Sequence, residues 1–198
     1  MDEGTYRVLP GRDDETWRFL DRTTFETVAV PVEGHDPPVE ALQPGYLVEA
    51  GLDWGSEEPT VRSLSVVRST LYTFVDDADP IFEVAESLWE ETRAAGEGMN
   101  ATQTHNTDNE VNGVCYVFAD AGQPSVFDEF RDGARPLEPL VDRINDEADA
   151  EVEPRELFAL RPVGGEFTVV TITLKKDGRF AETLRETYER ERPDEPLV

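Results

Sequence analysis

Gly113-Val114-Cys115-Tyr116-Val117-Phe118-Ala119 decides the fold. Seven residues without a charge, and without polar alternation, have no face to leave in water. The segment therefore reads as a central strand covered on both sides. Covering layers are at hand in the flanking sequence. Upstream, Asp79-Pro80 has the form of a helix start, a capping carboxylate followed by proline at the first helical position. Ile81, Ala85, Leu88 and Thr92 then recur at helical spacing, with Phe82 and Trp89 beside them, up to Gly96 or Gly98. Downstream, Ser125 can cap a short helix through Phe130, and Leu137–Glu147 carries Leu140, Val141 and Ile144 on one face. Arg155–Pro162 and Glu166–Lys175 read as a hairpin about Gly164-Gly165. Phe180, Leu184 and Tyr188 mark a last helix. Asp146–Pro154 reads as an acidic linker. This half is expected to be an α+β layer with helices packed on a sheet.

The first 75 residues read as β. Thr5–Leu9, Thr16–Leu20, Glu26–Val32, Tyr46–Trp54 and Thr60–Val75 are β-rich runs separated by turn residues. Glu33–Pro44, with four prolines around it, is a loop with a short turn at Val39–Leu42. Five strands in this length suit a small closed barrel, OB-like as first choice, because closure removes exposed edges. The expected organisation is a β-barrel-like domain over 1–76, an α+β domain over 77–190 and a disordered tail over 191–198.

Charge sets the environment. The chain has 44 acidic and 18 basic residues, a net charge of −26, and only two of the basic residues are lysines. Self-repulsion at that charge opposes compaction. At ~1 M salt the Debye length is about 3 Å and distant carboxylates no longer feel one another. Lysine scarcity agrees, since lysine stems expose methylenes that arginine's fork, paired to carboxylates, does not. The composition is that of a halophilic protein in concentrated K+ or Na+. A nucleic-acid mimic would bunch its acids in runs, and here they are spread. Met1–Thr5 has no basic or apolar leader region, and no apolar run approaches the ~18 residues of a membrane span. A soluble cytoplasmic protein is expected. Cys115 is the only cysteine, so an internal disulfide is excluded.

Two stretches depart from this background. Met99–Gly113 holds four asparagines, three threonines and one of the two histidines, between a helix and the covered strand. Read as a ligand loop, it offers Asn100, His105, Asn106, Asp108 and Asn112 as hydrogen-bonding groups. Read as a linker, the same residues bond their own backbone. Thr60–Val75 has no acid and contains Arg62, Arg68 and Tyr72, which could meet phosphates and stack on bases of RNA or a ribonucleoprotein. A strand buried on both faces would exclude acids equally well. His35, in the proline-rich loop, is expected to be exposed, and Cys115 to be an inert core thiol. Asp146, Asp149 and Glu151 could hold Mg²⁺ weakly, but such clusters are expected anywhere in so acidic a chain. No phosphate loop, dinucleotide fingerprint or metalloprotease helix is present, so no catalytic residue, metal or cofactor is assigned.

Three phrases carry a family resemblance. They are Gln43-Pro44-Gly45-Tyr46-Leu47-Val48-Glu49-Ala50, Ala95-Gly96-Glu97-Gly98-Met99-Asn100 followed by Thr107-Asp108-Asn109-Glu110-Val111-Asn112-Gly113-Val114, and Phe130-Arg131-Asp132-Gly133-Ala134-Arg135-Pro136-Leu137 running on to Arg143. Together, over about Thr5 to Tyr188, they resemble an uncharacterised haloarchaeal family of unknown function. The resemblance implies no activity. It favours the polar phrases around Asn100, Asp108, Asn112 and Arg131 as a site. Three expectations follow: a non-enzymatic nucleic-acid or ribonucleoprotein-associated factor using Arg62, Arg68 and Tyr72; a small-molecule-binding enzyme or sensor using the 99–113 loop with Arg131 and Arg135; or an interaction module, a homodimer through the C-terminal sheet.

Overall fold

A computed structural model describes residues 2–55, 57–147 and 154–198. Five strands come first: β1 (Asp2–Pro10), β2 (Thr16–Asp21), β3 (Thr27–Pro31), β4 (Leu47–Asp53) and β5 (Thr60–Arg68). They form one antiparallel sheet in the order β3-β2-β1-β4-β5. One face gathers Tyr6, Val8, Phe19, Val30, Val48, Leu52 and Val61, with Tyr46 and Val39 of the 3-10 turn at Val39–Ala41 in the same cluster. The strand count matches the sequence reading, but the barrel does not: β3 and β5 are the outer strands, with no ladder between them among the described residues. Pro31 ends β3, and proline offers no N–H to continue pairing. One side chain spans the gap instead. His35 bonds the Pro31 carbonyl through Nε2 (2.7 Å) and accepts the Val61 N–H at Nδ1 (2.9 Å). His35 is thus half-buried and structural, not exposed as the loop composition implied.

The stretch Thr60–Val75 is not one strand. The chain leaves the first sheet at Ser69-Thr70, and β6 (Leu71–Ala78) enters a second sheet. The boundary drawn at 76 therefore falls inside a strand of that sheet. After β6 come α1 (Glu83–Ala95), β7 (Met99–His105), β8 (Val111–Ala119), α2 (Val126–Asp132), α3 (Glu138–Glu147), β9 (Glu156–Pro162), β10 (Phe167–Thr173) and α4 (Arg179–Thr187). The second sheet has the order β6-β9-β10-β8-β7, antiparallel except for the parallel pair β6–β9. Helix α1 begins four residues after Asp79. Pro80 gives its carbonyl to the Tyr188 hydroxyl (2.8 Å), and Ile81 and Phe82 pack against the core before the helix starts.

The alternation along β8 explains the opening heptad. Tyr116 and Phe118 face α2 and α3, with Val126, Phe127, Phe130, Val141 and Ile144. Cys115 and Val117 face α1 and α4, with Ala85, Leu88, Ala181 and Leu184. Helices thus cover both faces of the second sheet. The α2–α3 layer also receives Leu9 and Leu20 from the first sheet, so one core joins the two sheets. Gly133 ends α2 at φ +78°, where a Cβ would stand 2.8 Å from Leu9 Cδ1. Only glycine supplies both the left-handed turn and that approach.

A buried ion cluster fixes the same junction. Glu138, at the start of α3, is fully buried. It accepts from Arg7 Nε (2.7 Å) and Nη2 (2.8 Å), from Arg22 Nη1 (2.7 Å) and from the Tyr72 hydroxyl (3.4 Å). Residues 191–198, expected as a disordered tail, contain no helix or strand but are tied down. Glu195 accepts from the Tyr46 hydroxyl (2.7 Å) and pairs with Lys176, and Leu197 packs on the first sheet. Most of the acidic linker, 148–153, lies outside the described residues, as do Asp149 and Glu151.

Candidate functional site

The polar segment Met99–Gly113 is a hairpin and not a long loop. Its first half is β7, the outer strand beside β8. Thr102 and Thr104 suit a strand with one wet face. Only residues 106–110 turn. Asn106 organises them: its Oδ1 accepts the N–H groups of Asp108 (3.0 Å) and Glu110 (2.9 Å), and its Nδ2 donates to Glu110 Oε2 (3.0 Å). Asn109 takes the left-handed conformation at φ 62°. Asn100 likewise serves its own strand, with Oδ1 accepting the Ala101 N–H (2.8 Å). His105 is exposed at the end of β7. Part of the asparagine content therefore holds the turn together, as the linker reading anticipated.

Asn112 differs. It is half-buried, and its Oδ1 accepts from the Thr104 hydroxyl (2.8 Å), which leaves its two amide hydrogens for another acceptor. It lines a cleft of about 550 Å³ between the hairpin turn and the start of α4. Asn106, Asp108 and Glu110 form one wall; Lys175, Gly178, Arg179 and Phe180 form the other. Lys175 and Arg179 are exposed and take part in no ion pair or side-chain hydrogen bond among the described residues. Helix α4 has Gly178 as its N-cap and no side chain capping it. Its first helical bond runs from the Glu182 N–H to the Gly178 carbonyl (3.0 Å), so the amides of residues 179–181 have no acceptor inside the helix. Two cations and a helix start meet here, in a chain of net charge −26.

Close packing positions this wall. Phe180 meets Phe82 edge-on at 6.4 Å. A Cβ on Gly113 would lie 2.6 Å from the Ile172 carbonyl oxygen and 3.1 Å from the Phe180 ring. Glycine at 113 thus lets α4 settle against β8. Lys175, Arg179 and Phe180 are among the cleft members absent from the sequence candidates. The signal was that both lysines of the chain fall side by side, just before Asp177-Gly178. Lys176 is the structural one: it donates to the Ser69 carbonyl (2.6 Å) and pairs with Glu195.

The remaining candidates lie elsewhere. Arg131 is exposed at the seam between the sheets, near Pro10 and Pro44, and does not reach the cleft. Arg135 pairs with Glu129 (2.8 Å) and stands over the Phe130 ring. The juxtaposition expected between these arginines and the cleft-forming turn of the 99–113 segment is therefore not formed; α2 and the turn after it carry them to the α2–α3 side of the second sheet. Of the expected nucleic-acid face, Tyr72 is 4 % exposed, its ring packed under Arg7 at 5.4 Å, and it has no face open for stacking. Arg62 is exposed but paired with Asp36 (3.2 Å) and Asp53 (3.3 Å). Arg68 is exposed and donates only to the adjacent Val67 carbonyl (2.9 Å). The lack of acids in the Leu71–Val75 part of β6 follows from burial, whereas β5 is a half-exposed outer strand. Burial pushes the Cys115 thiol up to about 12. A thiol that stays protonated inside a core is no nucleophile.

Fold and cleft together define an α+β protein with two sheets and four α-helices among the described residues, and a cation-lined cleft at one end of its second sheet. The chain belongs to the family of unknown function DUF6663, which matches it over residues 1–193. No curated protein and no solved structure matches it. No helix among the described residues is long and apolar enough to cross a membrane.

Proposed function

We propose that this is a halophilic, cytoplasmic, non-enzymatic binding protein whose ligand is a small polyanion held between the β7–β8 turn and the start of α4. The observation that carries the proposal is the uncompensated pair Lys175 and Arg179 at an uncapped helix start. With 44 carboxylates in the chain, a cation left without one is available to an external anion. Arg179 offers a fork for a carboxylate or phosphate, and Lys175 adds a second, more mobile charge. Asn112 donates from the side, and Asp108 can accept from a hydroxyl of the same ligand. A site of 550 Å³ lies in the size range of small-molecule pockets. The −26 charge supports a cell interior rich in KCl, as would a haloarchaeal origin. In molar salt long-range attraction is screened, so direct hydrogen bonds must provide the selectivity. The nucleic-acid reading retains only Arg68 of its three residues.

Thermal shift and calorimetry in ~2 M KCl, with pyrophosphate and citrate as probes, test the proposal. Binding that raises Tm, and that falls about tenfold in each of Lys175→Ala and Arg179→Ala, supports it; loss of one charge-assisted hydrogen bond has about that effect. Absence of binding by both probes, or binding indifferent to both substitutions, refutes it.

A further inference from the structure

The second sheet has one weakly guarded edge. Its other outer strand, β6, gives the Tyr72 N–H to the Pro44 carbonyl (2.8 Å) and carries Asp76 and Asp77 at its far end. In the first sheet, β3 is short and ends in proline, and β5 carries two arginines and two register shifts; His35 bridges the pair. Prolines, charges, bulges and covering groups are the usual guards against edge-to-edge pairing. Strand β7, Met-Asn-Ala-Thr-Gln-Thr-His, has the weakest guard: one register shift at its far end, between Thr104 and His105, and one outward N–H, of Ala101, held by the neighbouring Asn100 side chain. It has no acid, lysine, arginine or proline. Gly98 is bonded inward to β8 through Ala119 N–H (2.8 Å), so by strand alternation Met99, Ala101, Gln103 and His105 turn their backbone groups outward. The side chains of these four residues are exposed. Met99 (43 %) and Val111 (40 %) are among the few large apolar side chains left in solvent.

We propose that β7 pairs antiparallel with β7 of a second copy of this chain, about a two-fold axis through Thr102. The second copy is the favoured occupant for two reasons. The strand is self-complementary in this register: Ala101 faces Gln103 of the other copy, Met99 faces His105, and all are residues with outward backbone groups. Two molecules of charge −26 also repel least where the contacting segments carry no acid, and β7 is such a segment. Pairing takes the Ala101 N–H away from Asn100 Oδ1 and gives it to a strand. Helix α1 covers one face of β7 and β8 and exposes Glu86, Glu90 and Glu91. Two copies bring these carboxylates near one another, so association strengthens with salt.

Sedimentation velocity of the full chain in about 2 M and about 0.2 M KCl tests this, the two conditions spanning strong and weak screening. The expected species in high salt has twice the 22.2 kDa chain mass, and its dissociation constant rises at least about tenfold on dilution of the salt. Gln103→Pro removes only an outward N–H, so the ladder to β8 survives. It is expected to give a monomer with an unchanged circular-dichroism spectrum. Should that variant fail to fold, Gln103→Glu keeps the shape and adds a charge beside the axis, and is expected to weaken the dimer in low salt most. A monomer in high salt, or a dimer unaffected by both substitutions, overturns the proposal.

Discussion

Replacing Glu138 by Gln removes one charge from the junction of the two sheets and should be among the most destabilising conservative changes in the molecule. The carboxylate is fully buried, and Arg7 beside it is 3 % exposed. Arg7 donates two bonds to Glu138 and a third, from Nη1, to the Gly45 carbonyl (2.7 Å). An amide keeps one acceptor oxygen but turns its NH2 toward a guanidinium, donor against donor. Arg7 is then a buried cation without a counter-charge, a defect that costs about 3–5 kcal/mol. Native stability is only about 5–15 kcal/mol, so at least about a fifth of it is at stake. For a chain of this size that loss lowers Tm by about 10 °C. Urea unfolding in ~2 M KCl measures it as a fall in midpoint at constant slope. Arg7→Met combined with Glu138→Leu should recover much of the loss, since an apolar pair leaves no orphan. The pH dependence follows from the same contacts. Burial pushes the Glu138 carboxyl up, but hydrogen bonds and charge from Arg7 and Arg22 outweigh it and hold it below its ordinary value. A group depressed in the folded state contributes stability above its unfolded pKa of about 4.3, and loses it as pH falls through the folded value. Wild-type stability should therefore fall in acid through a step that Glu138→Gln lacks. A loss under about 1 kcal/mol, or an identical acid limb, would refute the reasoning, since an exposed pair is worth no more than that.

Three further outcomes are expected. His35→Ala strands the Val61 N–H between the outer strands of the first sheet and should cost about 1–3 kcal/mol, with faster amide exchange confined to β3 and β5. Gly113→Ala drives a Cβ against the Ile172 carbonyl and the Phe180 ring; it should cost about 1–3 kcal/mol and weaken ligand binding at the cleft, read by urea unfolding and calorimetry. Cys115, with its thiol pushed up to about 12, should resist a soluble thiol reagent at neutral pH until urea unfolds the chain, and labelling of native protein would contradict its placement.

Much of the fold was legible. The covered strand, the hairpin about Gly164-Gly165, the Ser125 cap and the four helices follow from local pattern, because burial on two faces, turn glycines and capping hydroxyls each act within a few residues. What escaped depends on distant partners. Whether β3 and β5 close a barrel is decided between residues 31 and 61, and the answer is a histidine bridge. The switch of sheets at Ser69-Thr70 is invisible in a run of β-branched residues that looks uniform. Strand β7 was mistaken for a loop because an outer strand with wet side chains has the composition of a loop. Of the candidate cleft, Asn106, Asp108 and Asn112 stand out in the sequence by composition, whereas Lys175 and Arg179 come from a turn more than sixty residues away; Arg131 and Arg135 do not line it. Tyr72 looked like a stacking platform because an aromatic in a β run gives no sign of which layer will cover it.

Amide chemical-shift mapping with pyrophosphate in ~2 M KCl tests the cleft most directly. Perturbations confined to Asn106–Asn112 and Lys175–Glu182 are the predicted result. Shifts centred on the Arg131 seam, or none at any concentration, would contradict the account.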